Sequence, residues 1–210
     1  MANDSGFWDG VVGAAGLPWG RAGSPAVSML AERLQPDARV LVPGCSYGRN
    51  ALALARRGLR VEAYDYSEVA IARARAEFAD PRVVYSVRDV LDPPAGAYDG
   101  VFCHFLLHLF RAPERQRIVA ALAKALGPGG LLLATGLSTR CAFYGSGEEL
   151  EPDTWSNPGW VPIHFYTASS IAAELAPLEI LLAEERDEPE DKPAGRVDTP
   201  AVYALARRTP

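Results

Sequence analysis

The stretch Val40-Leu-Val-Pro-Gly-Cys-Ser-Tyr-Gly-Arg-Asn-Ala51 runs from an apolar segment through a turn bounded by Gly44 and Gly48 into a helix start. Such a turn lets the backbone come close to a ligand, because glycine adds no Cβ to the contact. Asp65 follows Gly44 by 21 residues, at the end of the next apolar run, where a carboxylate can accept both hydroxyls of a ribose. Asp89 closes a third run, Ser86-Val-Arg-Asp-Val-Leu91. There a carboxylate can accept an adenine amine while the backbone amide of Val90 reaches a ring nitrogen. Taken singly, each acid also reads as an ordinary strand-ending cap. Their joint placement points to a nucleoside ligand, with Cys45, Ser46, Tyr47 and Asn50 of the turn, and Tyr66 beside Asp65, as further contacts.

Other ligand chemistries fit less well. A dinucleotide fingerprint needs glycine at 44, 46 and 49, but Ser46 and Arg49 stand at two of these positions. No Gly-Lys-Ser/Thr phosphate loop is present. Of the three histidines, His104 follows the fourth apolar run and is the first candidate for a base or a ligand contact; His164 is the second. His108 lies one helical turn beyond His104, and its setting Leu106-Leu-His-Leu-Phe110 predicts a packed structural role. The His104/His108 pair lacks a third ligand and no H-E-x-x-H occurs, so no metal is expected.

The elements that must hold these residues alternate. Arg39–Val42, Arg60–Tyr64, Val83–Tyr85, Gly100–Cys103 and Gly130–Ala134 are short apolar runs bounded by Gly, Pro or Asp, and read as buried strands. Arg49–Arg57, Ser67–Phe78 and Ala112–Leu126 carry apolar residues at spacings of three and four and read as helices. Strand and helix alternating at this spacing predict a Rossmann-like α/β fold, with a mostly parallel, doubly wound sheet of seven strands. Residues 1–37 precede it as a partly irregular cap with a helix over Pro25–Leu34. Thr167–Leu175 reads as a helix. Leu178–Glu184 and Ala201–Arg207 read as an antiparallel edge pair, joined by the charged linker Arg186–Pro200. The whole chain is expected to be one domain, with a cofactor-binding core over 38–136 and the helix and strand pair over 167–210.

Together these residues resemble a class I S-adenosylmethionine-dependent methyltransferase. The resemblance rests on the glycine turn at 44–48, Asp65, Asp89, Tyr98-Asp99 before the fourth strand and Leu126-Gly-Pro-Gly-Gly130 before the fifth. More narrowly, Leu41-Val-Pro-Gly-Cys45, Phe7-Trp8-Asp9 and Leu17-Pro-Trp-Gly20 resemble the branch of thiopurine S-methyltransferases and tellurite-resistance methyltransferases. That branch implies a Pro-Trp segment folded over the cofactor, hence a contact from Trp19, and a soft nucleophile as acceptor. Two departures stand out. Ser46 replaces the second glycine of the usual Gly-Cys-Gly, so it must take up glycine's backbone geometry or shift the loop. Gly20-Arg21 follows Pro-Trp where an acid is common.

Methyl transfer from a sulfonium needs nucleophile, methyl and sulfur held in line and shielded from water. Trp8, Trp19 and Tyr47 are candidates to face the cation. Residues 138–166 hold six of the 19 aromatics, interleaved with Gly and Pro. This predicts a substrate wall or lid formed by Tyr144, Trp155, Trp160, His164, Phe165 and Tyr166. A net charge of −5 argues against a nucleic-acid partner, and the longest apolar run, Val101–Phe110, is too short for a membrane span. Three scattered cysteines suggest neither disulfides nor zinc, and with no leader visible a reducing cytoplasm is expected. The expectation is a monomeric or homodimeric methyltransferase binding S-adenosylmethionine, releasing S-adenosylhomocysteine and acting on a small molecule, with a thiol or chalcogen favoured over an O- or N-acceptor of natural-product biosynthesis; the further alternative, to which Ser46 alone points, is a protein that binds S-adenosylmethionine without turning it over.

Overall fold

The computed structural model describes residues 5–14, 17–157, 160–192 and 195–209. Seven strands form the main sheet: β1 Arg39–Pro43, β2 Arg60–Asp65, β3 Val83–Val87, β4 Tyr98–His104, β5 Leu126–Leu137, β9 Glu179–Lys192 and β10 Gly195–Arg207. Their spatial order is β3-β2-β1-β4-β5-β10-β9. The first five are parallel, and β10 runs antiparallel to both β5 and β9. The order reverses at β1 and β4, which opens a crevice at the carboxyl ends of the strands where ligands bind in such sheets.

Side chains of the central strands alternate between two covered faces, as a doubly wound sheet requires. Val40, Val42, Phe102, Leu133 and Tyr203 pack on one side with Leu30 of α2 (Ala26–Ala31) and Leu54 of α3 (Arg49–Ala55). Leu41, Val101, Cys103, Leu132 and Val202 pack on the other, against Ile118 and Leu122 of α5 (Ala112–Ala125) and Ile171 of α6 (Ala168–Glu174). Ser67 caps α4 (Glu68–Glu77) by accepting from the Ala70 amide, and Thr167 caps α6 in the same way from Ser170. Helix α1 (Ser5–Ala14) lies against α4, held by a 2.5 Å hydrogen bond from Ser67 Oγ to Asp9 Oδ1.

Two expectations are corrected. The charged stretch Arg186–Pro200 is not a linker: β9 and β10 pair from Glu179↔Arg207 out to Lys192↔Gly195 and form one long hairpin. It projects past β5, which pairs with β10 only over Leu131–Leu137. The aromatic segment is not an irregular loop throughout. It builds a small antiparallel sheet of β6 Glu149–Glu151, β7 Thr154–Trp155 and β8 Ile163–His164. Arg115 of α5 anchors this unit, bonding Glu151 at 3.0 Å and Glu174 of α6 at 2.7 Å from a largely buried position.

Candidate functional site

The β1–α3 turn shapes the floor of the site. Gly44 has φ +59°, where a side chain is strained, and a Cβ there would stand 2.6 Å from Leu106 Cδ1, so glycine is favoured. Gly48, at φ +89°, opens α3, and a Cβ would meet the Tyr85 hydroxyl at 2.5 Å. Between them Ser46 takes φ +50°, the left-handed geometry of the glycine it replaces. Its hydroxyl is buried and has no protein partner. Tyr47 is fully buried, and its hydroxyl accepts from the Trp19 amide at 3.1 Å while donating to Gly20 O at 2.9 Å. The Trp19 and Tyr47 rings stack at 5.9 Å, so the Pro-Trp segment is pinned directly over the turn. Asn50 ties in the cap from the other side, accepting from the Ser24 amide at 2.8 Å.

Asp65 ends β2 beside this turn. Its oxygens accept from the Ser46 amide at 2.9 Å and the Ser67 amide at 3.0 Å. Burial pushes its pKa above the usual carboxylate value, and these backbone amides pull in the opposite direction. Asp89 is exposed at the end of the β3 segment and accepts from the Leu91 amide at 2.8 Å.

A cavity of about 570 Å³ joins these groups. All eleven expected cofactor contacts, Trp19, Gly44, Cys45, Ser46, Tyr47, Asn50, Asp65, Tyr66, Asp89, Val90 and His104, line it. Its volume is in the range of small-ligand sites. Trp8 and Trp160 close one side, with Trp8, Phe7 and Trp160 in mutual edge contacts at 4.9 to 5.7 Å.

The expected substrate wall is corrected. Trp160 lines the cavity, whereas Tyr144, Trp155, His164, Phe165 and Tyr166 stand behind the lining. Tyr144 packs edge-on against both Trp155 and Phe165, forming the hydrophobic support of the small sheet. His164 accepts or donates at Thr154 Oγ1 (2.8 Å) and packs against Tyr166 at 4.5 Å. Burial lowers its pKa to about 4, so it is a neutral packing residue set back from the cavity, not a base facing it. The rest of the lining includes Phe105, Phe110, Leu137, Phe143 and Ile163, with His108 and Thr199, and this is the part available to an acceptor if the glycine turn holds a cofactor. The run Arg186–Lys192 also differs from an exposed connection, since Glu188 is fully buried with Oε1 3.9 Å from His104 Nε2.

Both histidines at and after the end of β4 line the cavity, His104 as expected and His108 against the structural role expected of it. His104 Nδ1 is engaged by Thr135 Oγ1 at 2.8 Å, and its Nε2 is sealed toward Glu188. The Phe105 amide already donates to Thr135 Oγ1, leaving the threonine proton for Nδ1. Burial, then the charge of Arg49, hold His104 neutral, far below its ordinary pKa. In this arrangement neither nitrogen of His104 is placed to take a proton from a ligand. His108, expected to be structural, lines the cavity. Nothing in its apolar sequence context marked it; the reversal at Phe105, with φ +48°, turns it inward. Among the described residues no group of three or more His, Cys, Asp or Glu is arranged to hold a metal.

Residues 40–130 match the family model of a methyltransferase domain. Over nearly the whole length, the chain superposes on the solved structure reported for conversion of a disulfide bond into a thioacetal group during echinomycin biosynthesis. The TM-score is 0.77 at 25% identity, covering 98% of this chain and 91% of the other. This is the class I methyltransferase fold. A methyltransferase fold also results from comparison with 1,6-didemethyltoxoflavin-N1-methyltransferase of Burkholderia thailandensis, solved with its substrate and S-adenosylhomocysteine, at TM-score 0.70 and 21% identity over 89% of this chain and 77% of that one. In sequence, the chain is 33% identical over 126 residues to a carboxy-S-adenosyl-L-methionine synthase of Erwinia tasmaniensis, covering 56% of this chain and 50% of the relative. It is 30% identical over 139 residues to probable thiol methyltransferase 2 of Arabidopsis thaliana, covering 62% and 61%. The chain thus spans about half to three-fifths of the length of these curated relatives. Among the described residues no helix is long and apolar enough to cross a membrane.

Proposed function

We propose that the protein is an S-adenosylmethionine-dependent methyltransferase acting on a small molecule. The observation that carries this reading is the convergence of Ser46, Asp65 and Asp89, from three separate strand ends, on one cavity beneath Trp19. The residues suit the cofactor: the glycine turn at 44 leaves backbone room, Asp65 offers acceptors for ribose hydroxyls, and Asp89 with the Val90 amide suits an adenine edge. Ser46 Oγ, buried and unpartnered, suits a polar group of the amino acid end. S-adenosylmethionine supplies the methyl group as a sulfonium. The chain's own task is to orient the acceptor, exclude water with α1 and Trp160, and face the cation with the Trp8, Trp19 and Tyr47 rings.

A soft sulfur-type acceptor is the preferred substrate class. The branch motifs Leu41-Val-Pro-Gly-Cys45 and Leu17-Pro-Trp-Gly20 favour it, and a probable thiol methyltransferase and a disulfide-converting enzyme are both among the similar proteins. A thiol also supplies some thiolate at neutral pH without a base, which agrees with a cavity whose histidines are made poor proton acceptors by burial. The apolar, aromatic acceptor side suits a planar molecule. The test is mass-spectrometric detection of S-adenosylhomocysteine release with thiols, selenide, phenols and amines against a no-acceptor control. Product with thiols or selenide is expected. Product with phenols or amines alone would replace the acceptor class, and failure to bind S-adenosylhomocysteine would overturn the reading.

A further inference from the structure

The acceptor side of the cavity holds one polar group that none of the foregoing roles uses. Beyond β4 the chain reverses at Phe105 and enters a single 3-10 turn, Leu107–Leu109, which carries His108 to the cavity wall. The Phe105 ring stands edge-on to both neighbours, 4.6 Å from His104 and 5.6 Å from His108, so the three rings form one rigid wall. His108 is 6% exposed. Its Nδ1 is sealed in the protein without a hydrogen-bond partner, an arrangement costing about 1–3 kcal/mol unless the imidazole earns it elsewhere.

The location of that unpartnered nitrogen fixes what the ring can offer. A proton on Nδ1 would leave a buried N–H with no acceptor, and orphaned N–H groups are rarer in native structures than underused acceptor lone pairs. The proton therefore belongs on Nε2, the nitrogen left to meet a ligand. His104 cannot substitute, because Thr135 engages its Nδ1 and its Nε2 is turned to Glu188. Around His108 the wall is made of Phe105, Phe110, Phe143, Leu137 and Ile163. Thr199 and Asn157 are the other polar side chains on this part of the lining, and a buried donor in a largely apolar surround is the kind of group that sets a ligand's orientation. Burial, with His164 nearby, lowers its pKa to about 3, so it stays a neutral donor across the working pH range.

We propose that His108 anchors the methyl acceptor, its Nε2–H donating to an oxygen or nitrogen lone pair on the acceptor ring beside the atom that receives the methyl group. This inference rests on the reading of the cavity as a methyltransferase site and narrows its substrate to planar molecules that carry such a lone pair. A simple aromatic thiol without one would fit the cavity but lack the anchor.

Two measurements test it. The first reads the imidazole directly: 15N resonances of His108 in the S-adenosylhomocysteine complex, assigned by comparison with His108→Gln, should show a protonated Nε2 and a bare Nδ1. The opposite tautomer overturns the proposal whether or not an acceptor is known. The second compares the three methoxythiophenols, each carrying an ether oxygen lone pair on the ring, with the ethylthiophenols of the same substitution pattern, near-isosteres without one. At least one methoxy isomer should show a lower KM than its ethyl counterpart in the native protein. That advantage should shrink about tenfold in His108→Phe, the loss of one buried hydrogen bond, and return in part in His108→Gln, whose amide can donate. Only this ratio is read, because His108 lies in the cavity wall and its replacement changes packing against both members of a pair. Equal losses for the methoxy and ethyl compounds would make His108 a packing residue and sink the proposal. Loss of S-adenosylhomocysteine binding by the native protein would instead remove the reading on which it rests.

Discussion

Replacing Ser46 with glycine should stabilise the protein and weaken its hold on the cofactor at the same time. Ser46 sits at φ +50°, a conformation costing a non-glycine residue about 1 kcal/mol or somewhat more. Its hydroxyl is buried without a protein partner, a further penalty of about 1 kcal/mol. Glycine removes both and returns about 0.4–1 kcal/mol of extra chain entropy to the unfolded state. The balance leaves Ser46→Gly about 1 kcal/mol more stable, a rise of about 2–4 °C in Tm for a chain of this size. If the hydroxyl is kept because it bonds the cofactor, its loss should raise the Kd for S-adenosylhomocysteine about three- to tenfold. Thermal unfolding of the free protein and titration calorimetry with S-adenosylhomocysteine measure the two effects separately. A lower Tm would refute the strain argument. A higher Tm with unchanged Kd would refute the role of the hydroxyl, because the stabilising half would then stand without any counterpart in binding.

Three further perturbations address other parts of the site. Asp65→Ala should weaken S-adenosylhomocysteine binding more than tenfold by calorimetry, since the carboxylate lines the cavity where the proposed reading seats the ribose; an unchanged Kd would displace the cofactor from that end. Trp160→Ala removes edge contacts to Phe7 and Trp8 worth about 0.5–1.5 kcal/mol each; it should raise acceptor KM more than it lowers kcat, whereas a pure kcat loss would place Trp160 outside acceptor binding. The buried histidines should also make folding pH-dependent. His108 and His164 titrate near 3 and 4 when folded but near 6.5 when unfolded, so the unfolded chain binds more protons between these limits. Their contribution is complete above about pH 6.5 and is lost as pH falls toward 4, at up to about 1.4 kcal/mol per unit for each. Urea unfolding at pH 7, 6 and 5 should show this slope, and His108→Phe should remove about one proton's share; an unchanged slope would contradict a neutral buried His108.

The core of the fold was legible because each strand is short, apolar and flanked by a turn residue, and each helix carries its own start or stop. Val40 and Val42 on one face and Leu41 on the other need no tertiary information beyond a sheet covered twice. That the candidate cofactor residues meet at one cavity was legible for a related reason. Gly44, Asp65 and Asp89 lie at or just beyond strand ends, and parallel strands bring their carboxyl ends to one edge. What escaped the sequence lies on parts whose position depends on packing. The charged hairpin over 186–200 reads as a solvated linker, since no local pattern says that Glu188 will be buried beside His104. The aromatic segment reads as a pocket wall by composition, yet Tyr144, Trp155 and Phe165 satisfy one another around the small sheet and only Trp160 and Phe143 reach the cavity.

The histidines show most clearly where such reading ends. Spacing of i and i+4 places His104 and His108 on one helical face, so the residue nearer the strand end is the natural choice for chemistry. The backbone does not continue as a helix there. Phe105 turns at positive φ, β5 supplies Thr135 to occupy His104, and the far hairpin brings Glu188 against its second nitrogen. The same reversal swings His108 into the cavity. Both imidazoles line the cavity, but which nitrogen of each is left free there is decided by elements distant in sequence, and a pattern confined to residues 104–108 cannot contain that information.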